Sequence, residues 1–120
     1  MVFAERKSFV QQDINYAEAR IVAGGHMTKG KAKAGQRRIT FTIEVLGANH
    51  VSLMGDFNEW DEKVHPMRQY ENDIWKKTVF LDPGRYEYKF LVDGQWHIDP
   101  NNYNICPNRF GTNNNFLIVS

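Results

Sequence analysis

Cysteine is almost absent from this chain. Cys106 stands alone among 120 residues, so no internal disulfide can form, and a reducing, cytoplasmic setting is the simplest reading. An excess of charge of one sign is missing too. Fifteen Lys and Arg against 14 Asp and Glu leave a formal net charge of +1, which gives no general reason to expect nucleic acid or an anionic membrane as a partner. Long apolar runs are lacking. No window approaches the roughly 20 apolar residues of a membrane span, and the opening MVFAERKSFVQQ has no apolar stretch of signal-peptide length. A soluble chain is expected.

Catalytic signatures are also missing. There is no Gly-x-Ser-x-Gly elbow, no glycine-rich loop ending in Gly-Lys-Ser/Thr, and no Ser-His-Asp order that stands out. His26, His50, His65 and His97 are scattered, without metal-ligand spacing. Asp56, Asn58 and Asp61 in DFNEWDE loosely resemble a calcium loop. Trp60, however, falls where an EF-hand needs an oxygen ligand, and the required glycine is missing. No catalytic residue, no metal and no cofactor are therefore expected.

Aromatic residues, by contrast, are plentiful: 3 Trp, 5 Tyr and 8 Phe, 13% of a chain that is 42% hydrophobic. With only 4 prolines and 9 glycines, that profile fits one compact β domain better than disorder. The composition changes near Arg38. AGGHMTKGKAKAGQRR carries Lys29, Lys31, Lys33, Arg37 and Arg38 without hydrophobic periodicity and reads as a flexible, solvated linker. Before it, Val10, Ile14, Ala17 and Ile21 recur at helical spacing, which predicts a short amphipathic helix over 11–22. Residues 1–37 are read as an N-terminal segment and linker, and 38–120 as the domain.

From Arg38 onward the period is two. In ITFTIEV, Ile39, Phe41, Ile43 and Val45 alternate with Thr40, Thr42 and Glu44, as in a strand with one wet face. HVSLMG is a second strand and DIWKKTVFL a third. Trp75, Val79 and Leu81 share one side of the third with Lys77, which predicts an edge or partly exposed strand. RYEYKFLV puts Tyr86, Tyr88, Phe90 and Val92 on one face and Arg85, Glu87, Lys89 and Leu91 on the other. Asp93-Gly94 is a hairpin signal leading into QWHI, and NNFLIV closes the chain. Six or seven short strands predict an all-β, antiparallel β-sandwich, with DPNNYNICPNRFGTNNN as a long polar loop.

Trp60 and Trp96 sit at strand ends among polar neighbours. If the fourth and fifth strands form a hairpin, Lys89 and Trp96 face outward together. Two flat apolar rings, one long cation and the amides of Asn113, Asn114 and Asn115 are suited to holding a sugar chain. The plainer alternative is that tryptophans fill the core; Trp75 fits that better than Trp60 or Trp96. Consecutive asparagines are also common in turns.

The stretches VSLMGDFNEWD, LDPGRYEYKFLVDGQWHIDP and FGTNNNFLIV, in that order, closely resemble the glycogen-binding domain of the AMP-activated protein kinase β subunit. More widely they resemble carbohydrate-binding module family forty-eight, the isoamylase N-terminal, early-set immunoglobulin-like domains. The resemblance covers Ile39 to Ser120 and implies a non-catalytic immunoglobulin-like sandwich that binds α-1,4-linked glucans: glycogen, starch or maltooligosaccharides. It implies stacking by Trp60 and Trp96, a polar sugar contact from Lys89, and loop contacts from Thr112 and Asn114. The family's apolar loop residue, a leucine in the kinase domain, falls on Phe110. The kinase domain's phosphorylatable serine is replaced by Asp56. Association with a glycogen-metabolising enzyme is also implied. The competing expectation is a related sandwich that has lost sugar binding and serves as a protein-interaction or positioning domain; the intact set Trp60, Lys89, Trp96 and Asn114 favours the sugar.

Overall fold

The computed structural model describes residues 33–120 and, for residues 6–13, the backbone. In chain order the strands are β1 (Arg6–Asp13), β2 (Arg37–Val45), β3 (Val51–Gly55), β4 (Arg68–Tyr70), β5 (Ile74–Leu81), β6 (Gly84–Val92), β7 (Gln95–His97), β8 (Ile105–Pro107) and β9 (Asn113–Val119). They form two sheets. One has the order β1-β2-β5-β4 and the other β3-β6-β9-β8, with β7 paired to β6. Every strand pair is antiparallel, and the chain is the all-β sandwich its period of two predicts.

Alternation decides what lies between the sheets. Ile39, Phe41 and Ile43 of β2, Val51 and Leu53 of β3, Tyr88 and Phe90 of β6 and Val119 of β9 are buried in one cluster with Trp75. Phe41 meets Tyr88 edge-on at 5.0 Å, and Tyr88 meets Phe90 at 5.9 Å, contacts worth about 0.5–1.5 kcal/mol each beyond the area they bury. The Tyr88 hydroxyl is paired within the core: it donates to Asp99 Oδ2 at 2.8 Å and accepts from Asn102 Nδ2 at 2.9 Å. Asn115 receives the Asp99 N–H and donates to the Asp99 and Asn102 carbonyls. The base of the long polar loop is thus pinned to the core.

Three expectations need correction. The helix read over 11–22 begins inside β1, where Gln11, Gln12 and Asp13 pair with Thr40, Ile39 and Arg38; its remaining residues lie outside the described ones. At these three residues the free edge of β2 offers a ladder of backbone groups. Second, of the two alternatives for β5 the edge position is not realised, since β5 lies between β2 and β4, whereas the partial exposure is: Lys77 is only half-buried because the three residues of β4 cover Ile74–Lys76 alone. Third, β8 interrupts the long polar loop; three residues among asparagines and prolines are too few for a period to show.

Two turns place the residues of the outer sheet face. Asp93 and Gly94 have φ of 48° and 83°, as a tight two-residue hairpin demands. The Asp93 carboxylate accepts the N–H groups of Asn49 and His50, tying the hairpin to the β2–β3 turn. After β3 the chain turns on Asn58, which is buried. Its Oδ1 accepts from the N–H groups of Gly55 and Trp60, and its Nδ2 donates to Leu53 O and His65 Nδ1. This clamp holds Glu59 and Trp60 in consecutive left-handed conformations, φ 56° and 58°, which non-glycine residues rarely adopt. Gly55 is needed for close approach, since a Cβ there would lie 2.8 Å from Glu87 O and 2.7 Å from the Phe57 ring.

Burial, helped by the charge of Lys77, lowers the His65 pKa below 6.5. The bond from Asn58 requires an unprotonated Nδ1, so the folded state favours the neutral ring. The unfolded chain takes up the proton first as pH drops. The stability contributed by His65 is therefore complete above pH 6.5 and is lost as pH falls through the lower folded-state value. Thermal melts between pH 7.5 and 5 should show a smaller acid-side loss for His65→Asn than for the unmodified protein; equal slopes would contradict this coupling. Trp75 is 5% exposed. Trp75→Ala should lower stability by about 3–5 kcal/mol in urea titrations.

Candidate functional site

The outer face of the β6 sheet carries the residues that the inner face excludes. Along β6, Glu87 and Lys89 point away from the core between Tyr86, Tyr88 and Phe90. Leu91 of β6 pairs with Trp96 of β7, which puts the indole on that same outer face. From the end of β3 comes Trp60, and from the last strand Asn114. The segment between β8 and β9 rises beside them. Together they line an open groove of about 860 Å³ that includes Trp60, Lys89, Trp96, Phe110, Thr112 and Asn114. All six residues singled out in the sequence therefore face one space, although Trp60 and Asn114 are more than 50 positions apart.

The two indoles form a bent platform. Their centroids are 6.2 Å apart with planes inclined at 60°. Trp96 is 52% exposed and Phe110 75%, whereas Trp75 is buried and Trp60 is half-buried. Asp56 holds Trp60 in place. Its Oδ1 accepts the indole N–H at 3.1 Å, and its Oδ2 accepts the Glu87 N–H at 2.8 Å. The oxygens of the loose calcium pattern are thus used locally: Asp56 by Trp60 and Glu87, Asn58 by its own turn, and Asp61 Oδ1 by the Lys63 N–H.

Lys89 is only 7% exposed, and burial lowers its pKa. Its ammonium donates to Thr112 Oγ1 at 3.2 Å and lies 5.7 Å from the centre of the Trp96 ring. An ammonium has three N–H groups, and the protein engages one of them in a hydrogen bond that the geometry identifies. Glu87 accepts from Asn114 Nδ2 at 2.9 Å and from Arg85 at 3.0 Å. Those bonds, that from Asn114 foremost, hold its carboxyl below the usual carboxylate range. The groove thus offers stacking surfaces, a buried cation, an ionised acceptor and amides, groups suited to a neutral polyhydroxy chain.

Sequence reasoning missed the supports. In the sequence Asp56 stands as a replaced serine, Asn58 as part of a metal pattern, and Glu87 as a polar strand residue. Asn108 does not stand out at all. The signal that could have revealed it is the Pro-Asn before Arg-Phe-Gly, a turn-forming asparagine two residues ahead of the proposed contact Phe110.

Sequence comparisons agree with this geometry. The chain is 46% identical over 70 residues to Protein PTST, chloroplastic, of Arabidopsis thaliana, covering 57% of this chain and 25% of that protein. It is 40% identical over 73 residues to Protein PTST homolog 2, chloroplastic, of the same plant, covering 61% of this chain and 13% of the relative. With the 5'-AMP-activated protein kinase subunit beta-1 of Sus scrofa it shares 38% identity over 89 residues, 74% of this chain and 69% of that sequence. The chain thus spans only a small part of the two plant relatives. Across residues 38–120, which contain both sheets' main strands and every residue of the groove, the chain belongs to the family described as the glycogen recognition site of AMP-activated protein kinase.

Proposed function

We propose that this domain is a non-catalytic binding module for α-1,4-linked glucans such as glycogen, starch and maltooligosaccharides. The observation that carries the reading is the inclined pair Trp60–Trp96 above a groove floored by Lys89. An α-1,4-linked chain curves, so successive glucose rings tilt relative to one another. Two indoles inclined at 60° suit such a chain better than the flat ribbon of a β-1,4-linked glucan. In this reading Trp60 and Trp96 stack on the apolar faces of adjacent sugars. The remaining N–H groups of Lys89 donate to hydroxyls. Thr112 and Asn114 supply further hydrogen bonds, and Phe110 closes the far wall. Membership of the family supports the same ligand class.

In this reading residues 38–120 hold the sugar, and of residues 1–37 the strand β1 adds an edge to the sheet through β2. Association with a glycogen- or starch-metabolising enzyme is proposed, since relatives include a protein named as a kinase subunit. We place the domain in a reducing, cytoplasmic compartment on the strength of its lone Cys106. Among the described residues no helix is long and apolar enough to cross a membrane.

Affinity should be modest. If each indole removes on the order of 60 Å² of apolar surface from water, two rings supply roughly 3 kcal/mol at about 25 cal/mol per Å². Hydrogen bonds add about 0.5–1.5 kcal/mol each, and ordering of the sugar opposes them. A dissociation constant between about 10 μM and 1 mM for maltoheptaose results. Trp96→Ala removes one platform and should push binding beyond detection by calorimetry while leaving the melting temperature nearly unchanged, the reverse of Trp75→Ala. Retained binding in Trp96→Ala would sink the stacking model. Removing residues 1–36 strips β1 from the edge of β2 and removes none of the described residues that line the groove. The truncated protein should bind maltoheptaose with unchanged affinity and melt at a lower temperature. Loss of binding from a folded truncation would place part of the site in the N-terminal segment.

A further inference from the structure

Building on the glucan reading, we propose that Asn108 is the positioning residue of the groove: it holds the loop between β8 and β9 in its sugar-contacting shape before any sugar arrives. The loop presents Phe110 and Thr112 and ends at Asn114, and the side chain of Asn108 reaches all three. Its Oδ1 accepts the N–H of Phe110 at 2.9 Å and of Thr112 at 3.2 Å. Its Nδ2 donates to Thr112 Oγ1 at 2.8 Å and Asn114 Oδ1 at 2.9 Å. The backbone adds Asn108 N to Thr112 O at 2.8 Å. One amide thus uses donor and acceptor together on the three residues that form the loop side of the groove.

The direction of these bonds is fixed from one end. The Glu87 carboxylate is ionised and can only accept, so Asn114 must present Nδ2 to it. Asn114 Oδ1 then faces Asn108, which must donate from Nδ2 and turn Oδ1 toward the loop N–H groups. Thr112 Oγ1 accepts from both Asn108 and Lys89. With both lone pairs engaged, its own hydroxyl proton is left to donate outward, to a hydroxyl of the ligand. The relay Glu87–Asn114–Asn108–Thr112–Lys89 therefore joins strand floor to loop wall and sets which way each group points. Phe110, at 75% exposure, has little packing of its own to hold it, so the bond from the Phe110 N–H to the side-chain Oδ1 of Asn108 is what fixes the wall. A loop ordered in advance spares the bound complex the entropy of ordering it on binding.

The test compares the unmodified protein with Asn108→Ala and Asn108→Asp, using maltoheptaose calorimetry and amide hydrogen exchange. Without sugar, Asn108→Ala should speed exchange at Phe110 and Thr112 while the β6 and β9 core amides stay protected. Its affinity should fall about tenfold, equivalent to about 1.4 kcal/mol, and added maltoheptaose should restore the loop protection. Asn108→Asp keeps the acceptor but loses the donors, so it should slow the loop amides again while recovering only part of the affinity. It also serves if the alanine variant fails to fold. Weakened affinity with unchanged exchange in the sugar-free protein would make Asn108 a direct sugar contact and overturn the positioning role. Affinity within about twofold of the unmodified protein, under 0.5 kcal/mol by the same conversion, would overturn it as well. If the unmodified protein does not bind maltoheptaose at all, the glucan reading fails, and with it this role in binding; the exchange arm alone then reports whether Asn108 orders the loop.

Discussion

Strand β6 is paired along both edges and used on both faces, and the rest of the molecule depends on its register. Its inner residues Tyr86, Tyr88, Phe90 and Val92 belong to or pack on the core, and its outer residues Glu87 and Lys89 floor the groove. One edge takes β3; the other takes β9 along its first half and β7 along its second. A slip of one residue would turn a lysine and a glutamate into the space between the sheets and turn two tyrosines and a phenylalanine out of it. The core therefore fixes the groove: the same hydrophobic burial that holds the sheets together orients Lys89 and Glu87 outward.

Exposed rings must be held by something other than packing. Each wall of the groove solves this with one buried or half-buried asparagine. On the β3 side, Asn58 closes the turn that puts Trp60 at φ 58°, and Asp56 fixes the indole through its N–H. On the β9 side, Asn108 closes the loop under Phe110. Asparagine suits both places because one short side chain offers an acceptor and a two-proton donor at once, and buried amides held at both ends resist rearrangement. The result is a rim tied by hydrogen bonds around a polar floor.

The strands with several alternating residues were legible: β2, β3, β5, β6, β9 and the Asp93-Gly94 hairpin all follow from period and turn chemistry. The strands that were not legible are β1, β4 and β8. Two of them have three residues each, too few for a period, and β1 takes Gln11, Gln12 and Asp13, the first residues of the helix read over 11–22, into pairing with β2. The six candidate residues that line the groove could be named because aromatic rings at strand ends among amides depart from a core pattern, and because the three quoted stretches resemble a known family. The supporting residues could not be named, since a supporting bond joins positions such as Glu87 and Asn114 that only folding brings within 2.9 Å.

By itself the sequence determined the class of fold, the inward and outward faces of the long strands, and the chemical kind of ligand: stacking rings and amides without a catalytic or metal constellation. These follow from local periodicity and residue type, which need no partner to be read. Only the tertiary structure decided the 60° inclination of Trp60 to Trp96, the burial of Lys89, and the direction of every hydrogen bond from Glu87 to Thr112. Those are relations between β3, β6, β7 and the β8–β9 loop. A one-dimensional pattern records which groups exist, but angle, desolvation and bond direction arise only when separate segments are packed against one another.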